Sequence, residues 1–194
     1  MNVIAILASP RRNSASSAFA EYFLNKLTEE DKAGCNINKF ILRGMQYSGC
    51  KGCYLCQTKA TACVLTDDLT EVFESLHQAD ILFIATPIYF GRTPSQLLAF
   101  TNRLKQLSID NSLTKTRLPG GKTAILLTTQ QQEDVHYYRD LRNSLHYQFK
   151  QFGFTNFYTI GKGLLGIEFD LNDCKDFYDT IDDCVAKVAA PFKR

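Results

Sequence analysis

Six consecutive apolar residues near the start of the chain, Val3-Ile4-Ala5-Ile6-Leu7-Ala8, constrain the fold more than any other feature. A short run with no polar residue in either alternation, half of it β-branched, suits a strand covered on both faces, the condition of a parallel sheet interior. After Ser9-Pro10-Arg11-Arg12-Asn13, the apolar residues Ala15, Ala18, Phe19, Tyr22, Phe23 and Leu27 recur at three- and four-residue steps, the stripe of an amphipathic helix. The alternation repeats. Residues 37–42 read as a strand, Thr66-Asp67-Asp68 opens a helix striped by Leu69, Val72, Phe73 and Leu76, and residues 81–85 form a third strand. A helix carrying Leu97, Thr101, Leu104 and Leu107 comes next, then a polar connection over 108–121 that stops on Pro119-Gly120-Gly121. Residues 123–129 and 154–160 read as the last two strands. The helix between them carries Tyr138, Leu141, Leu145, Phe149 and Phe152, and a final helix carries Phe177, Ile181, Cys184, Val185 and Val188.

Strands alternating with helices pair in parallel through right-handed crossovers, which gives a doubly wound α/β sheet. Ligands of such sheets sit at the carboxyl ends of the strands. No repeat or linker interrupts the pattern and 194 residues match one core, so the chain reads as a single domain over 1–194.

Composition excludes several partner classes. Hydrophobic residues at 45% and charged ones at 22% rule out a disordered chain, and a net charge of +2 without a basic stripe gives nucleic acid nothing to hold. No apolar run approaches the ~18 residues of a membrane helix, and the first run is too short for a secretory core. The expected location is the cytoplasm, where thiols stay reduced. That matters because Cys50, Cys53, Cys56 and Cys63 crowd into one window, while Cys35, Cys174 and Cys184 are scattered. Cys174 and Cys184 share the apolar stripe of the last helix and are expected in the core.

The crowded cysteines admit three readings. Three thiolates at three-residue steps with Gly49 and Gly52 between them could face one iron-sulfur cluster, and the seven residues to Cys63 reach up to ~25 Å, enough for a fourth ligand. Zinc is the poorer fit, since structural zinc sites bring two separate knuckles together. The third reading is a set of redox-active thiols beside Lys51.

Two loops suggest a ligand. Ser9-Pro10-Arg11-Arg12-Asn13-Ser14-Ala15-Ser16-Ser17 places hydroxyls and guanidiniums at a helix N-terminus, where backbone N–H groups and the dipole favour phosphate. It contains no glycine, so it is neither a Walker loop nor a dinucleotide fingerprint; simple capping by Asn13 or Ser14 is the alternative. The second loop, Pro87-Ile88-Tyr89-Phe90-Gly91, offers a flat apolar wall for an aromatic heterocycle, or merely fills space over the sheet edge.

Taken in order, Ser9-Pro10-Arg11 with Asn13-Ser14, the four cysteines with Asp67-Asp68, Thr86-Pro87-Ile88-Tyr89-Phe90-Gly91, then Gln96-Leu97 and Asn102-Arg103 resemble the flavodoxin-like NAD(P)H-dependent FMN reductases, in particular the branch that includes the iron-sulfur flavoproteins. The resemblance implies a flavodoxin-like doubly wound five-stranded parallel sheet of order 2-1-3-4-5 with helices on both faces, FMN as cofactor, and a homodimer or homotetramer. It implies that Ser9, Arg11, Asn13, Ser14 and Ser16 hold the phosphate, that Pro87, Ile88, Tyr89, Phe90 and Gly91 line the ring, and that Thr129 and Gln130 meet its pyrimidine end. It also implies Cys50, Cys53, Cys56 and Cys63 as ligands of a four-iron four-sulfur cluster. The branch usually has five residues before its last cysteine and a proline after it; here there are six (57 to 62) and Val64, which favours the thiol reading. The third loop, Thr128-Thr129-Gln130-Gln131-Gln132-Glu133, lacks the family's glycines, so side chains are expected to meet the flavin there.

The function implied is an FMN-dependent oxidoreductase that moves hydride from NAD(P)H to flavin and on to a small acceptor such as a quinone, a free flavin or a nitroaromatic, with no side chain required as acid or base. The alternatives are an iron-sulfur flavoprotein electron carrier and a thiol or zinc module on a flavin-free scaffold.

Overall fold

The computed structural model describes residues 1–31, 34–58, 62–108, 118–166 and 169–192. The first apolar run becomes β1 (Asn2–Leu7), with five of its six residues buried. It lies between β2 (Asn36–Ile41) and β3 (Ile81–Pro87), followed by β4 (Lys122–Thr129) and β5 (Phe154–Lys162). Among the described residues these make one sheet of order β2-β1-β3-β4-β5 with every neighbouring pair parallel. Burial follows position in the sheet. β3 is buried throughout, whereas the outer strands β2 and β5 keep exposed residues, as edge strands must.

The helices are α1 (Ala15–Glu30), the single turn α2 (Leu55–Thr58), α3 (Leu69–Leu76), α4 (Ser95–Arg103), α5 (Arg139–Lys150) and α6 (Lys175–Ala189). α1 and α6 cover one face, where Phe19, Phe23, Ile181 and Val185 pack on Ala5, Phe83 and Ile125. Phe23 stacks on Phe83 at 4.6 Å, and Phe19 meets Phe177 edge-on at 4.8 Å. α3, α4 and α5 cover the other face through Val72, Phe73, Leu97, Phe100, Leu145 and Phe149. Each such aromatic contributes roughly 1.5–3 kcal/mol by leaving water. No helix among the described residues is long and apolar enough to cross a membrane.

Several boundaries differ from the sequence expectation, for reasons of packing. β3 continues through Thr86 and Pro87, which align with Thr128 and Thr129 of β4, and β5 continues through Gly161 and Lys162. The sheet therefore extends under the loops that follow β3 and β4. α4 stops at Arg103 and tightens into a 3-10 turn, Leu104–Leu107. Tyr138 precedes α5 rather than opening it, and Phe152 lies beyond its end. Cys174 sits in the 3-10 turn before α6 rather than on its stripe, yet both it and Cys184 are buried in the core. Burial pushes the Cys184 thiol up to about 11 and so removes its reactivity. Most of the polar connection, 109–117, lies outside the described residues.

Candidate functional site

The first loop turns the chain from β1 into α1. Ser14 is the N-cap: its oxygen accepts from the Ser17 N–H at 3.2 Å and its hydroxyl donates to Ser17 Oγ at 2.8 Å. The capping reading therefore holds for Ser14, while Asn13 stands exposed. Because the Ala18 N–H goes to the Ser14 carbonyl, the first-turn N–H groups of Ala15 and Ser16 are left pointing out of the helix. Ser9 is buried and its Oγ accepts from the Arg11 N–H at 3.2 Å, which curls the loop and presents the Arg11 side chain. Ser16 is also buried, 3.4 Å from Ser14 through their hydroxyls.

The second loop is a tight hairpin at the end of β3. Tyr89 and Arg92 exchange two backbone bonds of 2.9 Å, and the residues between them, Phe90 and Gly91, have φ of +48° and +72°. Two successive positive φ values are the signature of a type I′ turn. A glycine suits this conformation and a phenylalanine does not, yet Phe90 occupies it with its whole side chain in solvent. Gly91 is also required by its neighbour, since a Cβ there would stand 3.3 Å from the Tyr138 ring. The glycine thus makes room for Tyr138.

The third loop leaves β4 and lies beside the second, the Ile88 N–H donating to the Thr129 carbonyl at 2.8 Å. The loop has no glycine of its own, but glycines stand opposite it, one in β5 and one just past it. A Cβ on Gly163 would lie 2.3 Å from the Glu133 carbonyl oxygen, and one on Gly161 would lie 2.9 Å from Thr128 Oγ1. Gln130 is buried, and its amide donates to the carbonyls of Gln132 (3.0 Å) and Asp134 (2.8 Å) while accepting from Arg142 (2.8 Å). Its side chain shapes the loop from behind.

Between these loops lies a cleft of about 390 Å³, within the range of small-molecule sites, at the carboxyl ends of β1, β3 and β4. It brings together Arg11, Ser14, Pro87, Ile88, Tyr89, Phe90, Thr129 and Gln130 of the expected site. Ser9 and Ser16, both buried, and the half-buried Gly91 do not line it, and Asn13 lines an adjoining hollow of about 350 Å³ together with Ser14. Sequence reasoning missed Tyr138, Leu165, Gly166 and Phe169, which also line the cleft. The available signal was Gly161 in β5 and Gly163 just past it, which mark close backbone approach. A larger hollow of about 540 Å³ along β2 and α3 is lined by Asp67, Asp68, Glu71 and Glu74, a poor surface for any phosphorylated ligand.

The donor set of the cleft fits FMN: open N–H groups at the head of a sixteen-residue helix and an arginine at one end, apolar and aromatic side chains along the loop wall. The cysteine segment fits a cluster less well. Residues 45–54 form no regular element, and the backbone turns at Gly52 and Tyr54, with φ of +67° and +57°, the Gly52 N–H donating to Cys50 Sγ at 3.4 Å. Cys50 and Cys53 are exposed, Cys56 and Cys63 half-buried, and all are thiols. Among the described residues no three metal-binding side chains converge. The two ends of the segment are nonetheless held firmly. The buried Arg103 donates to the Ser48 carbonyl (3.1 Å), the Leu65 carbonyl (3.2 Å) and Asp67 (2.8 Å), and Gln106 accepts from the Cys63 N–H (3.1 Å).

Known proteins resemble the chain in sequence over part of its length and in fold over most of it. The chain is 29% identical over 109 residues to an iron-sulfur flavoprotein of Methanocaldococcus jannaschii, a stretch of 56% of this chain and 54% of that protein. It is 27% identical over 118 residues to an iron-sulfur flavoprotein of Methanosarcina thermophila, 61% of this chain and 60% of that one. The chain spans about half the length of the curated relatives it matches. Among solved structures, an NAD(P)H:quinone oxidoreductase from Methanothermobacter marburgensis superposes with a TM-score of 0.74 at 18% identity, covering 97% of this chain and 96% of that one. An FMN-dependent NADH-azoreductase from Bacillus anthracis, in complex with FMN, gives 0.71 at 14% identity, with coverages of 97% and 100%. These likenesses show the flavodoxin-like fold. With a family model matching residues 1–165, the chain belongs to the NADPH-dependent FMN reductase family.

Proposed function

We propose that the chain binds FMN in the cleft between its three loops and acts as an NAD(P)H-dependent oxidoreductase. The observation that carries this is the convergence of the α1 N-terminus, Arg11 and the 87–91 and 129–132 loops on one cleft at the strand ends. In this reading the N–H groups of Ala15 and Ser16 with the Arg11 guanidinium hold the phosphate. Ser9, Ser14 and Ser16 set that loop's shape, with Asn13 at its margin. Pro87, Ile88, Tyr89, Phe90 and Gly91 form one wall of the ring site, with Tyr138 behind Gly91, and the Thr129–Gln130 backbone bounds its pyrimidine end. Bound FMN would supply hydride and electron transfer, from NAD(P)H to a small acceptor of the quinone, flavin or nitroaromatic class. The protein's part is to bind, orient and exclude water. The working form is a cytoplasmic homodimer or homotetramer with one flavodoxin-like domain over 1–194, bound neither to nucleic acid nor to a membrane.

Fluorescence titration with FMN, followed by NADPH oxidation in the presence of a soluble quinone, tests the reading. Protein that neither quenches FMN nor oxidises NADPH refutes it. A second reading, an electron carrier with a cluster on Cys50, Cys53, Cys56 and Cys63, is supported by the iron-sulfur flavoproteins among the relatives. The six residues between Cys56 and Cys63, where that branch usually has five, and Val64 in place of its proline speak against it. Iron near zero in protein purified without air, with all four thiols open to alkylation, leaves the first reading alone. Stoichiometric iron and sulfide establish the second.

A further inference from the structure

Arg142, on α5, is buried in the core side of the third loop, and among the described residues no carboxylate pairs with it. Its guanidinium is instead spent on neutral oxygens. Nε and Nη2 donate to Thr128 Oγ1 at 3.1 and 2.9 Å, Nη2 donates to Gln130 Oε1 at 2.8 Å, and Nη1 donates to the Val135 carbonyl. Those acceptors lie at the start, the middle and the far end of the loop that bounds the cleft. Gln130 extends the network forward, its amide donating to the carbonyls of Gln132 and Asp134. A single planar fork thus fixes residues 128–135 from behind. The absence of a side chain at Gly161 leaves space for it, since a Cβ there would stand 3.1 Å from Nη2.

A cation desolvated in this way is costly, and an apolar side chain of the same length would fill the space without that penalty. What it supplies beyond packing is direction and charge. Asp134 acts on it through space but forms no ion pair with it, so a positive charge that is only partly offset stands one residue behind the cleft lining.

We propose that Arg142 is the positioning residue of the ring-binding loop: it holds residues 130–135 in the shape that bounds the cleft, and its charge makes a flavin bound there easier to reduce. The charge part rests on the FMN reading above; the loop part stands without it. Residues 128–135 contain no glycine, and the chain holds them with a buried guanidinium while glycines stand opposite, at the end of β5 and just past it.

The test uses Arg142→Met, Arg142→Lys and Gly161→Ala. Three quantities are read: amide exchange of 130–135 in flavin-free protein, the FMN dissociation constant, and the midpoint potential of bound FMN. Arg142→Met is expected to speed exchange in 130–135 at least tenfold, weaken FMN about tenfold and move the potential negative. Arg142→Lys keeps the charge without the fork, so exchange rises while the potential stays near that of the wild type. Gly161→Ala displaces the fork without removing charge and should match the lysine variant, which keeps the test decisive if Arg142→Met does not fold. Unchanged exchange in all folded variants overturns the loop role. A potential that falls equally in the lysine and methionine variants overturns the charge role. Wild-type protein that fails to bind FMN would sink the FMN reading, while the exchange measurements would still judge the loop.

Discussion

Gly91 illustrates how one residue serves two demands. Its φ of +72° lies where a Cβ is strained, and the Tyr138 ring occupies the space a side chain would need. Gly91→Val should therefore push Tyr138 into the cleft and weaken FMN at least tenfold, while far-ultraviolet circular dichroism stays native. Unaltered FMN affinity in the folded variant would contradict the placement of this turn at the ring. Arg11 tests the opposite end of the cleft. Arg11→Ala removes a charge-assisted contact worth ~1.5–3 kcal/mol, so FMN affinity should fall about tenfold to more than a hundredfold, measured by fluorescence titration. Residue types at these positions were legible in the sequence, because proline, glycine and arginine carry local geometry and charge. The partner of Gly91 was not, since Tyr138 approaches it from a helix start 47 positions away (138 − 91), a contact only the folded sheet creates.

Among the elements, α4 and its 3-10 extension act as the anchor of the cysteine segment. Arg103, buried on α4, ties the residues before and after the thiols, and Phe73 lies under its guanidinium at 5.8 Å. Burial pushes the Asp67 carboxyl up, but bonds from the Arg103 guanidinium and the Ser48 N–H outweigh it and hold the group below its usual value. A carboxylate so lowered adds stability above its unfolded pKa and loses it as pH falls through the folded one. The stability gap between wild type and Asp67→Asn should be full near pH 7, begin to narrow near about pH 4 and close only as pH falls further, through the lowered folded value. Urea denaturation as a function of pH from neutral into strong acid measures it, and a gap that does not change with pH would contradict the ion-pair account. The core strands and helix stripes were readable from apolar period alone, since β1 and β3 are buried on both faces. Edge extensions such as Thr86-Pro87 and Gly161-Lys162 were not, because pairing with β4 rather than side-chain pattern decides where those strands stop. The single turn α2 was equally hidden, four residues being too few to show a period.

For the whole molecule, a ligand that binds only the folded state raises stability by an amount set by its concentration over its Kd, ~2.7 kcal/mol at a hundredfold excess. FMN at that excess should raise Tm by several degrees. Riboflavin, lacking the phosphate, should raise it less at equal concentration, and equal shifts would remove the α1 N-terminus and Arg11 from the binding account. The sheet's layering has a further result. α1 is made early, but its apolar stripe is closed by α6, and Tyr22 donates to Asp182 across 160 positions of chain. On the ribosome, Phe19 and Phe23 therefore wait for nearly the whole domain to emerge before α6 covers that side. During that interval the nascent chain exposes an aromatic surface of the kind chaperones bind. A stop codon ahead of Lys175 would make this exposure permanent, and the cell should meet such a product as a clearance substrate instead of a weakened enzyme.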